Sequence, residues 1–177
     1  MSIVLSLKAS TPSTEAIDWN AQYKEHIGRV FNFFRYRTGN DQVAQDLTAT
    51  VFEKAWKRRN QFRGDEQVFV GWLYAIARNV ANDYFRKQPL LVAIESVSEV
   101  AAAENVSDTV AQQIEFGRLV HFIQRLPERE REIITLKYGA DLTNRQIAQQ
   151  LSLSESNVGS ILHRTIRKLR AQMEQAP

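Results

Sequence analysis

At 177 residues the chain can form one ordinary domain or two small ones and is too short for a large multi-domain enzyme. Its 44% hydrophobic and 24% charged residues exclude wholesale disorder and a fibrous repeat, and no apolar run reaches the roughly 18 residues that a membrane span needs. With no cysteine there are no disulfides or thiolate metal sites, and the net charge of +3 hides a partition: 13 Lys/Arg against 9 Asp/Glu in residues 1–89, none against 4 in 90–110, and 10 against 7 in 111–177.

Residues 1–14 carry a short apolar patch (Ile3, Val4, Leu5, Leu7) followed by Lys8, the reverse of a secretory signal, so they read as a flexible tail on a cytoplasmic protein. Helical periodicity then dominates, and the expected class is all-α. Trp19, Tyr23, Ile27, Val30, Phe31 and Phe34 form one stripe, which Gly39-Asn40 can end. Asp41 is the expected N-cap of a second helix carrying Val43, Leu47, Val51, Phe52, Ala55 and Trp56. After the polar turn around Gln61 to Glu66, a third helix is expected over Val68 to Arg86, with Phe69, Trp72, Leu73, Ile76, Ala77, Val80 and Tyr84 on its apolar side. Pro89 bars continuation, and the acidic stretch 90–110 reads as a linker between two small helical domains, 15–89 and 111–177, the alternative being a charged loop inside one domain.

In the second block Thr109 to Leu126 is helical, and Pro127 sits in the first turn of a helix that carries Ile133, Ile134 and Leu136 to about Gly139. Thr143-Asn144-Arg145-Gln146 matches a capping box opening a short helix to Leu151; Ser152-Leu153-Ser154 turns, Ser154 caps, and a last helix runs from Glu155 to about Met173. Short helix, tight turn and longer helix have the spacing of a helix-turn-helix. At about 100° per residue, Val158, Leu162, Thr165, Ile166, Leu169 and Met173 share one side of the last helix, and Asn157, Ser160, Arg164, Arg167 and Lys168 the other. A basic, hydrogen-bonding face on such a helix suits the major groove, where Arg pairs with guanine and the other cations meet phosphates.

In the first block most of Phe69, Trp72, Tyr74, Tyr84 and Phe85 must be core, yet Arg63, Arg78, Asn79, Asn82, Asp83, Arg86 and Lys87 run among them. Aromatic surface beside a cationic track suits unpaired bases. Catalytic residues are expected to be none: His26, His121 and His163 form no H-E-x-x-H pair, and no glycine belongs to a phosphate loop or nucleophile elbow. No metal, cofactor or small-molecule substrate is expected.

The residues resemble the extracytoplasmic-function (ECF) branch of the sigma-70 family, small initiation factors of bacterial RNA polymerase. Gln45-Asp46-Leu47 through Glu53-Lys54-Ala55-Trp56 is similar to its polymerase-binding helix, Phe62-Arg63-Gly64 with Trp72 to Asn79 and Asp83-Tyr84-Phe85-Arg86 to its promoter-melting segment, and Leu126 to Arg131 with Ile147 to Arg170 to its upstream-promoter reader. The resemblance implies that Asp46, Leu47, Glu53 and Trp56 contact core polymerase. It implies that Phe62, Arg63, Asp65, Arg78, Asn79, Asp83 and Arg86 meet the downstream (−10) element as a flipped non-template single strand. It assigns Asn157, Ser160, His163, Arg164, Arg167 and Lys168 to the double-stranded upstream (−35) element. An anti-sigma factor is a further partner the family suggests.

Departures from the family pattern are local. Ala49-Thr50 replaces a frequent Gln-acidic pair, Gln146 replaces a Glu, and Gly159 and Ile161 stand where Lys or Arg is common. Glycine there costs about 1 kcal/mol of helix stability relative to Ala. Two other readings stay open at this point: a stand-alone helix-turn-helix regulator, which would not need the first block, and a helical adaptor that binds only protein.

Overall fold

A computed structural model describes residues 17–87 and 107–175, with side chains in the second run from 110. The expected tail 1–14 and residues 90–106 of the expected linker lie outside the described residues. Among the described residues there are seven α-helices and no strand: α1 Trp19–Thr38, α2 Asp41–Lys57, α3 Glu66–Lys87, α4 Ser107–Gln124, α5 Glu128–Ile134, α6 Asn144–Leu151 and α7 Glu155–Gln175. A short 3-10 turn, Arg59–Gln61, follows α2, and a π-helical turn, Thr135–Gly139, follows α5. Helix α4 starts at Ser107, so the last positions of the stretch read as linker are helical.

Local chemistry sets the boundaries. Asp18 accepts from the Asn20 and Ala21 amides to open α1, and Gly39, at φ 67°, closes it in the left-handed conformation that glycine tolerates. The cap of α2 is Asn40, not the expected Asp41: with Gly39 already turned, Asn40 is the extended residue, and its side chain accepts from the Val43 amide at 3.0 Å. Asp41 instead occupies the first turn, where a carboxylate suits the helix dipole, and accepts from Arg35 Nε at 2.8 Å. Asp65 opens α3 by accepting from the Val68 amide.

Helix α1 buries Val30 and Phe34 as its apolar pattern predicts, but its buried surface is wider than that stripe. Gln22, His26, Val30, Phe33, Phe34 and Arg37 are buried, whereas Tyr23 is exposed and Trp19, Ile27 and Phe31 are half-buried. The cause is a second layer. One flank of α1 packs on α2 and α3, and the flank bearing Phe33 and Arg37 is covered by the π-helical turn and α5 of the C-terminal unit. Helix α3 is likewise covered on two sides, so Tyr74 and Ala81 are buried along with the expected Phe69, Leu73, Ile76, Ala77 and Val80. The two helical units thus share one continuous apolar core, from Val30 through Leu169.

The buried polar groups of α1 make the fold pH-sensitive. Burial lowers the pKa of His26 below its ordinary 6.5, opposed by Glu25, aided by Arg29 and opposed again by Glu66. The unfolded chain therefore takes up the proton first, so the contribution of this residue is complete above pH 6.5 and is lost as the pH falls through it. The drop in Tm between about pH 7.5 and pH 5.5 should be smaller in His26→Leu than in the wild type. Equal drops in calorimetry would show that His26 does not titrate in that window.

Candidate nucleic-acid and protein interfaces

The C-terminal unit builds its helix-turn-helix from a firmly held corner. Thr143 and Gln146 form the reciprocal capping box, with the Thr143 amide donating to Gln146 Oε1 at 2.9 Å and the Gln146 amide to Thr143 Oγ1 at 3.2 Å. Ser152 ends α6 at φ 54°, and the Asn157 amide donates to Ser154 Oγ at 3.1 Å to start α7. Val158, Leu162, Thr165 and Leu169 are buried and anchor α7, while Ile166 and Met173 are half-buried. The opposite face is exposed as expected: Asn157, Ser160, His163, Arg164, Arg167 and Lys168 all face solvent. Lys168 also lies 3.9 Å from Glu130, a partly exposed pair that holds it weakly. Ser156, Asn157, Gly159, Ser160, His163 and Arg164 line a shallow concavity of about 620 Å³.

On α2, Asp46 and Glu53 are exposed and Leu47 is half-buried. Lys57 is ion-paired with Glu53 one turn away and holds its carboxyl below the usual carboxylate range. Trp56 is 54% exposed, a large fraction for so apolar a side chain. Arg59 lies over its ring at 4.0 Å, and Trp19 meets it edge-on. Trp19, Tyr23, Phe52, Trp56 and Phe69 border a small apolar pocket of about 250 Å³ beside this face. The apolar pattern assigned Trp19, Tyr23 and Phe52 to core and gave no sign of this opening.

The residues expected to meet unpaired bases are less uniform. Arg63, Asp65, Asn79 and Arg86 are exposed, and Asp83, half-buried, pairs with Arg86 at 2.9 Å. Phe62 is half-buried in an aromatic cluster, 5.1 Å from Trp72 and 5.7 Å from Phe69, so its ring is committed to packing. Arg63 donates to the Asn60 and Phe62 carbonyls, which shapes the turn. Arg78 is turned away from solvent: its Nε donates to Glu132 Oε1 at 2.7 Å and its Nη1 to the Gln150 carbonyl at 2.6 Å, both in the C-terminal unit.

That clasp belongs to a larger contact. Arg37, 1% exposed, donates to Glu128 Oε1 at 2.6 Å and approaches Glu132 at 4.0 Å. Burial works against the Glu128 charge, but hydrogen bonds from Arg131 and Arg37 outweigh it and hold the carboxyl below its ordinary value. Gln150 Nε2 donates to the Gly71 carbonyl at 2.7 Å. Gly139 lies so close to α1 that a Cβ there would stand 2.8 Å from Phe33 Cα. Sequence reasoning missed this contact because its partners are about 54 to 110 residues apart, far beyond any local period.

In the docked arrangement Nε and Nη1 of Arg78 are engaged within the fold, whereas the outer faces of α2 and α7 are open to solvent. Gly139→Ala should push the units apart while leaving each helical, raising the radius of gyration in small-angle scattering at unchanged circular dichroism. An unchanged radius would show that the backbone contact at Gly139 does not hold the units together.

Comparison with known proteins assigns both units. The model described as Sigma-70 region 2 matches residues 22–89, and that described as Sigma-70, region 4 matches residues 122–171. The ECF RNA polymerase sigma factor SigM of Bacillus subtilis is 28% identical over 150 residues, covering 84% of this chain and 91% of that one. The ECF RNA polymerase sigma factor BldN of Streptomyces coelicolor is 24% identical over 169 residues, covering 94% of this chain, which spans 64% of the length of that protein. In fold, the chain is similar to the sigma factor RpoE solved with the anti-sigma factor NepR from Bartonella quintana, at TM-score 0.68 and 19% identity over 90% of this chain and 99% of that one. It is similar to CnrH solved with the cytosolic domain of CnrY, at TM-score 0.66 and 19% identity over 90% and 89%.

Proposed function

The chain belongs to the extracytoplasmic-function branch of the sigma-70 family, factors that direct RNA polymerase to promoters, and on that premise we propose how its surfaces divide the task. Residues 111–177 read the −35 element as duplex DNA through the outer face of α7. Residues 15–89 bind core polymerase through α2 and read and help to melt the −10 element through α3 and the turn before it. The protein acts in the cytoplasm with the polymerase, makes no bond itself, and leaves the chemistry to the polymerase. The observation that carries this reading is the exposed polar and basic face of α7, projecting from a capped helix-turn-helix whose other face is buried.

On α2, the exposed Trp56 with Asp46 and Glu53 offers the mixed aromatic and acidic surface that a basic protein partner can grip. Asn79, exposed on α3, offers amide groups to the edge of an unpaired base, and Arg86 offers charge to its backbone. Arg78 is clasped by Glu132 and Gln150, so its Nε and Nη1 become available to DNA only when the two units separate. The masking partner Glu132 presents a carboxylate where a phosphate would bind. Regulation by an anti-sigma factor is supported by the two solved relatives of similar fold, one bound to an anti-sigma factor and the other to a cytosolic protein domain.

Pull-down with core polymerase separates this reading from a stand-alone regulator, which would not retain it. Asp46→Ala with Trp56→Ala should weaken polymerase binding about tenfold without loss of helicity. Undiminished affinity of the folded double variant would remove α2 as the contact.

The two kinds of DNA contact on α7 make different demands. In holoenzyme titrations, Arg164→Ala should cost about 1 to 3 kcal/mol on the preferred −35 duplex and little on a scrambled one. Arg167→Ala should weaken both alike and reduce the salt dependence by about one phosphate contact. Equal losses on both duplexes for Arg164→Ala would make it a phosphate clamp.

A further inference from the structure

Three of the seven glycines have structural reasons to be glycine. Gly39 and Gly64 adopt positive φ, and Gly139 touches the backbone of α1. Gly159 has none: it lies in the body of α7 with an ordinary helical backbone, and a Cβ there would meet only Asn144 Nδ2, at 3.8 Å, an ordinary contact. Glycine inside a helix is disfavoured relative to alanine, so this position gives up stability that nothing in the fold requires it to give up.

Gly28 and Gly117 also have open space where a Cβ would stand. What distinguishes Gly159 is its place. It lines the concavity on the outer face of α7, with Ser156 one turn before it and His163 one turn after, Ser160 and Arg164 beside them. The missing side chain is therefore a gap at the edge of the exposed row, on the side where α7 meets α6. Behind the gap stands Asn144, whose Oδ1 is buried without a hydrogen-bond partner.

We propose that Gly159 is a specificity-determining position, a seat for the methyl group of one thymine in the −35 element; this rests on the assignment of α7 as the −35 reader. A helix about 10 to 12 Å across just fits the major groove, so removing a side chain at the edge of its polar face lets the backbone on that side come closer to the base edges. Among the four base pairs the apolar group that projects into that groove is the thymine methyl, with the O4 acceptor beside it on the same ring. The gap takes the methyl, and the Asn144 amide behind it, whose Nδ2 would be 3.8 Å from a Cβ at 159, has an N–H to donate to the O4 acceptor. A side chain at 159 would fill the seat and cover Asn144. The position thus offers DNA a shape that only one base fills, where a cation would meet any phosphate.

The test uses the holoenzyme reconstituted with core polymerase and a −35 duplex enriched from a randomised pool. Each thymine of that duplex is replaced in turn by uracil, which lacks only the methyl. For the wild type, one replacement should weaken binding about three- to tenfold. Gly159→Ala should raise the Tm by about 2 to 4 °C, weaken the thymine duplex about tenfold, and bind the uracil duplex at that position at least as well as the thymine one. This non-additivity is the signature of the seat. Indifference of the wild type to every thymine-to-uracil change, or equal losses for Gly159→Ala on all duplexes, would overturn the proposal while leaving α7 as the reader. Should the wild type enrich no −35 sequence at all, the reader assignment and the seat would both fall.

Discussion

The docked arrangement depends on one buried cation. Arg37 comes from the middle of the first unit, is 1% exposed, and has its nearest carboxylates, Glu128 and Glu132, on the other unit. Two of its nitrogens, Nε and Nη1, have no hydrogen-bond partner. While it stays buried, a guanidinium so placed needs its carboxylate partners, because removing one partner of a buried ion pair typically costs about 3 to 5 kcal/mol. The converse is equally important. An ion pair formed at the expense of hydration is close to neutral overall, since water solvates the separated charges well. Within the apolar core that the two units share, the Arg37, Glu132 and Arg78 contacts therefore fix the register while adding little of their own to the cost of separation.

These contacts matter because of what they cover. Glu132 and the Gln150 carbonyl occupy Nε and Nη1 of Arg78, whereas Asp46, Glu53 and Trp56 on α2 and the polar face of α7 remain open. On the proposed reading, polymerase can engage α2 before the units part, and the −10 reader is completed afterwards. The order follows from exposure: a surface already in solvent needs no prior conformational change, and a masked one does. Ligand binding can open the contact only by its differential affinity for the separated form, which places the requirement on polymerase and DNA together.

The local devices were legible in the sequence and the long-range ones were not. The capping box at Thr143 and Gln146, the limits of α6 and the polar face of α7 could be read directly, since each depends on residues within a turn or two of one another. Asp41 was misread as a cap because Asn and Asp are both good caps, and only the φ of Gly39 decides which residue is left extended. The stripe on α1 was read too narrowly because amphipathicity reports one buried face, and α1 has two. Arg78 could be picked out as a cation on a nucleic-acid face, but its clasp on Glu132 joins positions 54 apart and leaves no local trace.

Several departures from ordinary helical rules lie on the docked face. Arg37 and Glu132 are charged and buried there, and the π-helical turn 135–139 lays the backbone of Gly139 on Phe33. Asp141, a non-glycine residue at φ 56°, lies just beyond that turn and 3.8 Å from Arg29. An isolated helical domain would gain nothing from any of these, since each sacrifices propensity, solvation or backbone comfort. They make sense together only if the second unit is present, because the same contact that leaves Arg37 dry supplies its carboxylates and needs a residue without a Cβ at 139. The face of region 4 that carries α5 and the π-helical turn is thus as specialised as the face that carries α7. Each face suits a different partner: the first unit of its own chain for one, and, on the proposed reading, duplex DNA for the other.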